Sequence, residues 1–316
     1  MAQMAAQMNI CVLGGTGFVG TAIINRLSEA GHWVSVPTRH PHLHQELQVL
    51  PTVRLIRADV HDPRDLDRLV EGMDAVINLV GILNEHGRNT FQRAHVELAA
   101  KLVGALRASR VRRLLQMSSL GADPRGPSRY LRSKGEAEAL VRAADAQVDF
   151  TIFRPSVIFG PGDSLTNRFA GLLHQSHGWL PLARAQARFA PVYVGDVAAA
   201  FVYALRTRGT IGQTYELGGP QIMTLEELVR TTAAVAALPC HVFGLPDSLA
   251  RLQGLIMGLL PGKPFTLDNF RSLTRDSICT EDGFDRLGLP RHRLLELLPI
   301  YLAPPRAAVG SLAAQS

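Results

Sequence analysis

Two stretches in the middle of the chain carry groups able to move a proton and hold an oxygen atom. An apolar run ends in Met117-Ser118-Ser119-Leu120, and Ser128-Arg129-Tyr130-Leu131-Arg132-Ser133-Lys134 follows it. Tyr130 and Lys134 are four residues apart, so a helix sets them on one face. A phenol with a pKa near 10 is a poor base at neutral pH, but an adjacent ammonium and a cationic ring stabilise its phenolate. A serine at the end of a strand can hold the carbonyl or alcohol oxygen that reacts. Tyr-x-x-x-Lys alone arises by chance in a chain of this length. Its placement after a serine pair, in a chain that opens with a glycine turn, is much less a matter of chance.

That turn is Gly14-Gly15-Thr16-Gly17-Phe18-Val19-Gly20. Its glycines at 14, 17 and 20 supply positive φ, a close backbone approach to a pyrophosphate, and tight packing of the following helix. The first N–H groups of that helix and its positive dipole end then face the phosphates. The end of the second strand reads Val36-Pro37-Thr38-Arg39-His40, with no carboxylate for a ribose diol. Arg39 offers charge-assisted hydrogen bonds to a 2′-phosphate, so NADP(H) is favoured over NAD(H). Asp59, ending the third strand, faces adenine in such an arrangement or caps the following turn.

The elements that must carry these groups alternate in type. Strands are expected at Ile10–Leu13, Trp33–Pro37, Val53–Arg57, Ala75–Val80, Arg113–Met117 and Phe150–Phe153. Helices are expected at Phe18–Ala30, Pro63–Glu71, Thr90–Ser109 and Ser128–Ala144. Unbroken Val/Ile/Leu runs between helical patterns describe an α/β fold, a Rossmann-type doubly wound parallel sheet. Beyond Pro155 frequent Pro and Gly divide the chain into shorter pieces, read as a smaller C-terminal lobe. Residues 1–155 form the nucleotide-binding domain, to which the chain returns at about 190–218. Residues 156–189 and 219–316 form the substrate lobe.

The glycine turn, Ser118-Ser119 and Tyr130-x-x-x-Lys134 resemble the short-chain dehydrogenase/reductase superfamily, in its extended or atypical branch with the sugar-nucleotide epimerases and dehydratases. Arg154-Pro155-Ser156-Val157-Ile158-Phe159-Gly160 and Pro191-Val192-Tyr193-Val194-Gly195-Asp196-Val197 are similar to the nucleotide-binding accessory subunits of respiratory complex I and their bacterial relatives. The resemblance implies that Ser119, with Ser118 the fallback, orients the reacting oxygen, that Tyr130 exchanges the proton and that Lys134 holds the ribose. It implies a cofactor set of Gly14, Thr16, Gly17, Phe18, Val19, Gly20, Arg39, Asp59, Val80, Tyr130, Lys134, Pro155, Ser156 and Val157. Two departures stand out. Ser119 and Tyr130 are only 11 apart, and Asn78-Leu79-Val80-Gly81 replaces the usual Asn-Ala-Gly-type motif after strand four.

The leading expectation is thus an oxidoreductase passing hydride to or from a carbonyl or alcohol carbon. Its rivals are a nucleotide-stabilised accessory protein of a respiratory or quinone-biosynthetic complex, and a sugar-nucleotide epimerase or dehydratase. The chain has 316 residues, 47% apolar and 19% charged, the composition of a folded, soluble protein. A net charge of +6 is too modest to imply nucleic-acid binding. Cys11, Cys240 and Cys279 are scattered and suit no zinc spacing or disulfide framework, and His40, His42 and His44 read as loop residues, so no metal is expected. Met1–Asn9 has no basic n-region, and no apolar run reaches the ~20 residues of a membrane span. The expected location is therefore cytoplasmic, compatible with peripheral contact at the inner membrane face. Leu245–Pro261 is apolar at helical spacing, either a core helix or a cover over an apolar substrate such as a quinone or isoprenoid.

Overall fold

The computed structural model describes residues 7–144, 146–260, 263 and 265–303. Residues 1–6, 145, 261, 262, 264 and 304–316 lie outside that range. Six strands come first: β1 (Asn9–Leu13), β2 (Trp33–Thr38), β3 (Val53–Arg57), β4 (Ala75–Asn78), β5 (Arg113–Met117) and β6 (Asp149–Pro155). The lobe contributes the short strands β7 (Ile158–Phe159), β8 (Trp179–Ala183), β9 (Arg188–Phe189) and β10 (Val192–Tyr193). The chain then comes back to the sheet as β11 (Gln213–Leu217) and leaves again through β12 (Met223–Thr224) and β13 (His241–Leu245). The main sheet runs β11-β6-β5-β4-β1-β2-β3, parallel throughout, with the order reversing at β1. Ligands of open α/β sheets sit outside the carboxyl ends of strands at such a reversal.

Apolar strands need cover on both faces. The helices α1 (Phe18–Glu29) and α7 (Val194–Arg206) pack against each other over one face, burying Ile23, Ile24, Leu27, Phe153 and Phe201. On the other face lie α3 (Pro63–Val70), α4 (Leu98–Ala108) and α5 (Arg129–Arg142), around Leu66, Leu98, Leu102, Leu114 and Val141. A four-residue helix, α2 (Gln45–Gln48), precedes β3. Starts are set by local chemistry. Asp62 accepts from Arg64 N with Pro63 as the first helical residue of α3, and Ser128 accepts from Leu131 N at the start of α5. Arg113, buried in β5, donates to Asp149 O, Thr151 Oγ1, Ala204 O and Thr210 Oγ1, so one guanidinium joins three neighbouring segments.

The lobe adds α6 (Thr166–Gln175), α8 (Leu225–Val235), α9 (Asp247–Met257), α10 (Leu267–Ser272), α11 (Gly283–Leu287) and α12 (Leu294–Leu302). Its core is built on Phe159, Leu173, Leu228, Val229 and Leu298. Buried Asp163 fastens it, accepting from Gly160 N, Leu165 N, Thr166 N, Thr166 Oγ1 and Tyr301 Oη. No helix among the described residues is long and apolar enough to cross a membrane.

Three expectations are corrected. The strand expected to reach Val80 stops at Asn78, whose side-chain oxygen accepts from Val80 N and turns the chain. The helix expected over Thr90–Ser109 is not uniformly α: Gln92–Glu97 is a π-helical stretch that runs into α4. The core-helix reading of 245–261 also fails. In α9 only Ala250 and Gly254 are buried, and Leu249, Leu252, Leu255 and Ile256 face outward with Leu259 and Leu260 just beyond.

Candidate functional site

The glycine turn is as tight as its sequence requires. Gly14 has φ of 76°, and a Cβ there would lie 3.0 Å from Val80 N. A Cβ on Gly20 would drive into the carbonyl oxygens of Gly15 and Gly14, pushing α1 away from the turn. Gly15, absent from the expected site set, is more loosely restricted, because a Cβ there would meet side-chain methyls of Ile24 and Val36 at 2.8 Å. Gly17 forms the N-cap of α1 and makes no side-chain cap bond. The first turn of α1 therefore presents its N–H groups to the cleft above.

Next to this turn, at the ends of β2 and β3, Arg39 is exposed and Asp59 is half-buried. Asp59 Oδ1 accepts from His61 N at 3.0 Å, so the turn-capping alternative is realised. Arg93, which sequence reasoning missed, stands 4.0 Å from Asp59. Burial lowers the His61 pKa, with Arg93 and Arg39 among the charges that press the same way. Arg39, just past β2, and Arg93, beside Asp59 after β3, thus both bring positive charge to the His61 corner.

On the far side of the cleft lie the serine pair and α5. Ser118 Oγ is buried with no hydrogen-bond partner within the protein, and Ser119 Oγ, also buried, lies beside the Tyr130 phenol. Burial raises the Tyr130 pKa, and Ser119 lies close enough to its phenol to oppose that rise in part. Tyr130 therefore rests as the neutral phenol, a proton donor. Lys134 is buried below it, and loss of water pushes its ammonium down to about 8 despite the nearby Glu138 carboxylate. That carboxylate is itself held by Arg154 at 2.6 Å.

A histidine outside the expected set ties these groups together. His95, on the π-helical stretch, accepts from Ile82 N at Nε2, so the ring proton is on Nδ1 and is donated to Ser133 Oγ at 2.8 Å. Ser133 passes its own hydrogen to Tyr130 O. The ring also meets Tyr130 edge-on, with centroids 5.7 Å apart. Burial, with Lys134 adding to it, depresses the His95 pKa to about 2, and the imidazole stays uncharged. The only sequence signal for it was a histidine inside an apolar helical pattern. The lobe contributes Asp268, 138 residues from Tyr130, which accepts from Arg129 N and Tyr130 N and caps α5 from outside.

Two cavities converge here. A cleft of about 320 Å³ runs from Gly14, Gly17, Phe18, Val19 and Gly20 to Ser119, Tyr130 and Lys134. A second, about 420 Å³, lies between the sheet and the lobe, with leucine the commonest lining residue and Ser164, Gln253, Asn269 and Ser277 among its polar ones. Leu83, Ser119, Tyr130, Pro155 and Ser156 border both. Ser156 gives its hydroxyl to Ser277 O, and Val157 faces only the second cavity. Thr16, Arg39, Asp59 and Val80 border neither. Val80 instead closes on Gly14 from behind. Among the described residues no cluster of His, Cys, Asp or Glu could hold a metal.

Residues 10–218 match the NAD dependent epimerase/dehydratase family. Subunit 9 of the NADH dehydrogenase (ubiquinone) 1 alpha subcomplex, mitochondrial, from Arabidopsis thaliana is 33% identical over 304 residues, covering 90% of this chain and 74% of that protein. A ceramide reductase of Caulobacter vibrioides is 33% identical over 243 residues, 77% of this chain and 73% of its own length. The fold is shared with the UDP-glucose 4-epimerase of Thermotoga maritima, with a TM-score of 0.72 and 17% identity over 93% of this chain and 97% of that one.

Proposed function

The chain belongs to the NAD dependent epimerase/dehydratase family, and from that premise we propose that it is an NADP(H)-binding oxidoreductase acting at a carbonyl or secondary-alcohol carbon. The observation that carries this reading is the meeting of a glycine-floored cleft with a second, apolar cavity at Ser119 and Tyr130. In it, residues 1–155 and 190–218 hold the nucleotide and the remaining segments cover the substrate.

The residues present fit a dinucleotide. Side chains on Gly14 or Gly20 would fill the cradle, and the buried Ser118 hydroxyl lacks a partner from within the protein. Gly14, Gly17 and the first turn of α1 would hold the pyrophosphate, Arg39 with Arg93 the 2′-phosphate, and Lys134 the nicotinamide ribose. The bound nicotinamide supplies or accepts the hydride. In reduction Tyr130 Oη gives its proton to the substrate oxygen, and in oxidation it takes one back. Ser119 Oγ donates a hydrogen bond to that same oxygen, fixing it beside the phenol. The Lys134 ammonium, one helical turn on, stabilises the phenolate left when the proton departs. With Tyr130 resting as the neutral phenol, the site has a proton ready for reduction, and the Caulobacter relative is named as a reductase.

Tyr130→Phe tests the assignment. Turnover with NADPH should fall by about 10²–10⁴-fold while nucleotide affinity stays within a few fold. Undiminished turnover would remove Tyr130 from the chemistry. Identifying the nucleotide released on denaturing fresh protein tests Arg39, because NAD(H) in place of NADP(H) would overturn the phosphate assignment.

A second reading is an accessory protein of a respiratory complex that holds its nucleotide without turning it over. The match to the complex I subunit and the outward apolar face of α9 favour it, since that face suits a partner or the surface of a membrane. Tightly retained nucleotide, near one per chain, with no exchange and no turnover would select it.

A further inference from the structure

We propose that the substrate is aliphatic: a long hydrocarbon chain bearing its ketone or secondary alcohol at the end that reaches Ser119 and Tyr130. This rests on the reading of Ser119 and Tyr130 as the reacting pair. The 420 Å³ cavity is where the body of the substrate must lie, because the other cavity at those two residues runs along the glycine turn. Its walls include Phe169, Leu172, Leu180, Phe189, Met257 and Phe265, contributed by α6, β8, β9, α9 and the segment before α10. The charged side chains that border it are already engaged. Arg275 pairs with Asp123 at 3.4 Å, Asp276 with Arg188 at 2.8 Å, and Arg168 is not free either. A sugar diphosphate placed here would lose its hydration without gaining an uncommitted cation, which is costly. A hydrocarbon chain loses nothing polar, and each methylene moved out of water contributes about 0.8 kcal/mol, close to fourfold in affinity.

The experiment uses the full chain loaded with its nucleotide and a series of 2-alkanones from four to fourteen carbons. Binding is measured by calorimetry and reduction by NADPH consumption. The dissociation constant should fall about fourfold per methylene and then level off where the cavity is full. Leu172→Trp and Leu180→Trp, each verified by thermal unfolding and nucleotide content, should move that plateau to shorter chains. Two positions are chosen so that a fold defect in one leaves the other informative.

Binding that ignores chain length, or a preference for UDP-glucose over every alkanone, overturns the proposal. Binding that strengthens with length but yields no reduction upholds the aliphatic site and refutes the oxidoreductase reading. Reduction without chain-length dependence does the reverse.

Discussion

At the floor of the cleft beside the glycine turn a lysine is held where water scarcely reaches it. Lys134 is 5% exposed, and its pKa of about 8 means that the folded protein disfavours the ammonium, which the unfolded chain loses only around pH 10.5. The sign follows from proton counts. Between the folded and unfolded pKa the unfolded chain binds more protons, so this group makes stability rise as pH climbs from about 8. Below 8 the burial cost is paid in full. Without nucleotide, Lys134→Met should therefore be more stable than the parent at pH 7, by on the order of 2 kcal/mol, with the advantage shrinking toward pH 10. Thermal unfolding across that range measures it, and an equal gain at both ends would refute the account. The same substitution should weaken nucleotide binding. His95 makes the arrangement workable: fixed as a neutral imidazole by Ile82 N and Ser133, it adds no second charge beside Lys134.

The turn between β1 and α1 is the element on which the most depends. Its glycines are packed so that Gly20→Ala forces the helix off Gly15 O, and a shift of that kind costs about 1–3 kcal/mol. Thermal unfolding should show a drop of several degrees and nucleotide titration a matching loss of affinity; an unchanged pair of values would mean that α1 has slack. This element was legible because both its strand and its helix announce themselves by period, and because positive φ and close approach demand glycine. The stretch ahead of α4 was not. A six-residue π stretch shifts the helical phase over too few positions for the apolar pattern to show it, so nothing in Gln92–Glu97 signalled the altered winding that brings His95 to Tyr130. Arg93 escaped for a similar reason, since on that stretch it reads as one more solvated cation. Asp268 was hidden by distance alone, as a cap supplied from the far end of the chain leaves no local mark.

Across the whole molecule, a few buried polar ties join the sheet to the lobe and the two lobe segments to each other. Asp163 holds Tyr301, Asp196 holds His292, and Ser156 holds Ser277, each pair far apart in sequence. Removing one acceptor strands several donors, so Asp163→Ala should cost about 2–4 kcal/mol. Because it lies in the lobe, it should weaken alkanone binding more than nucleotide binding; an equal loss of both would show that the two cavities share one support. The lobe was the least legible part, for its short strands and helices owe their form to these ties more than to local pattern. One consequence of the topology concerns how the chain is made. The outer strand β11 is synthesised only after the first lobe segment and α7, while β6, the strand it covers, is finished at Pro155. On the ribosome, β6 must wait as a bare sheet edge, and the Arg113 guanidinium must wait for Thr210. Such an edge is a template for pairing with other chains. Nascent or truncated forms ending before Gln213 are thus the forms most prone to aggregate, and those in greatest need of a chaperone.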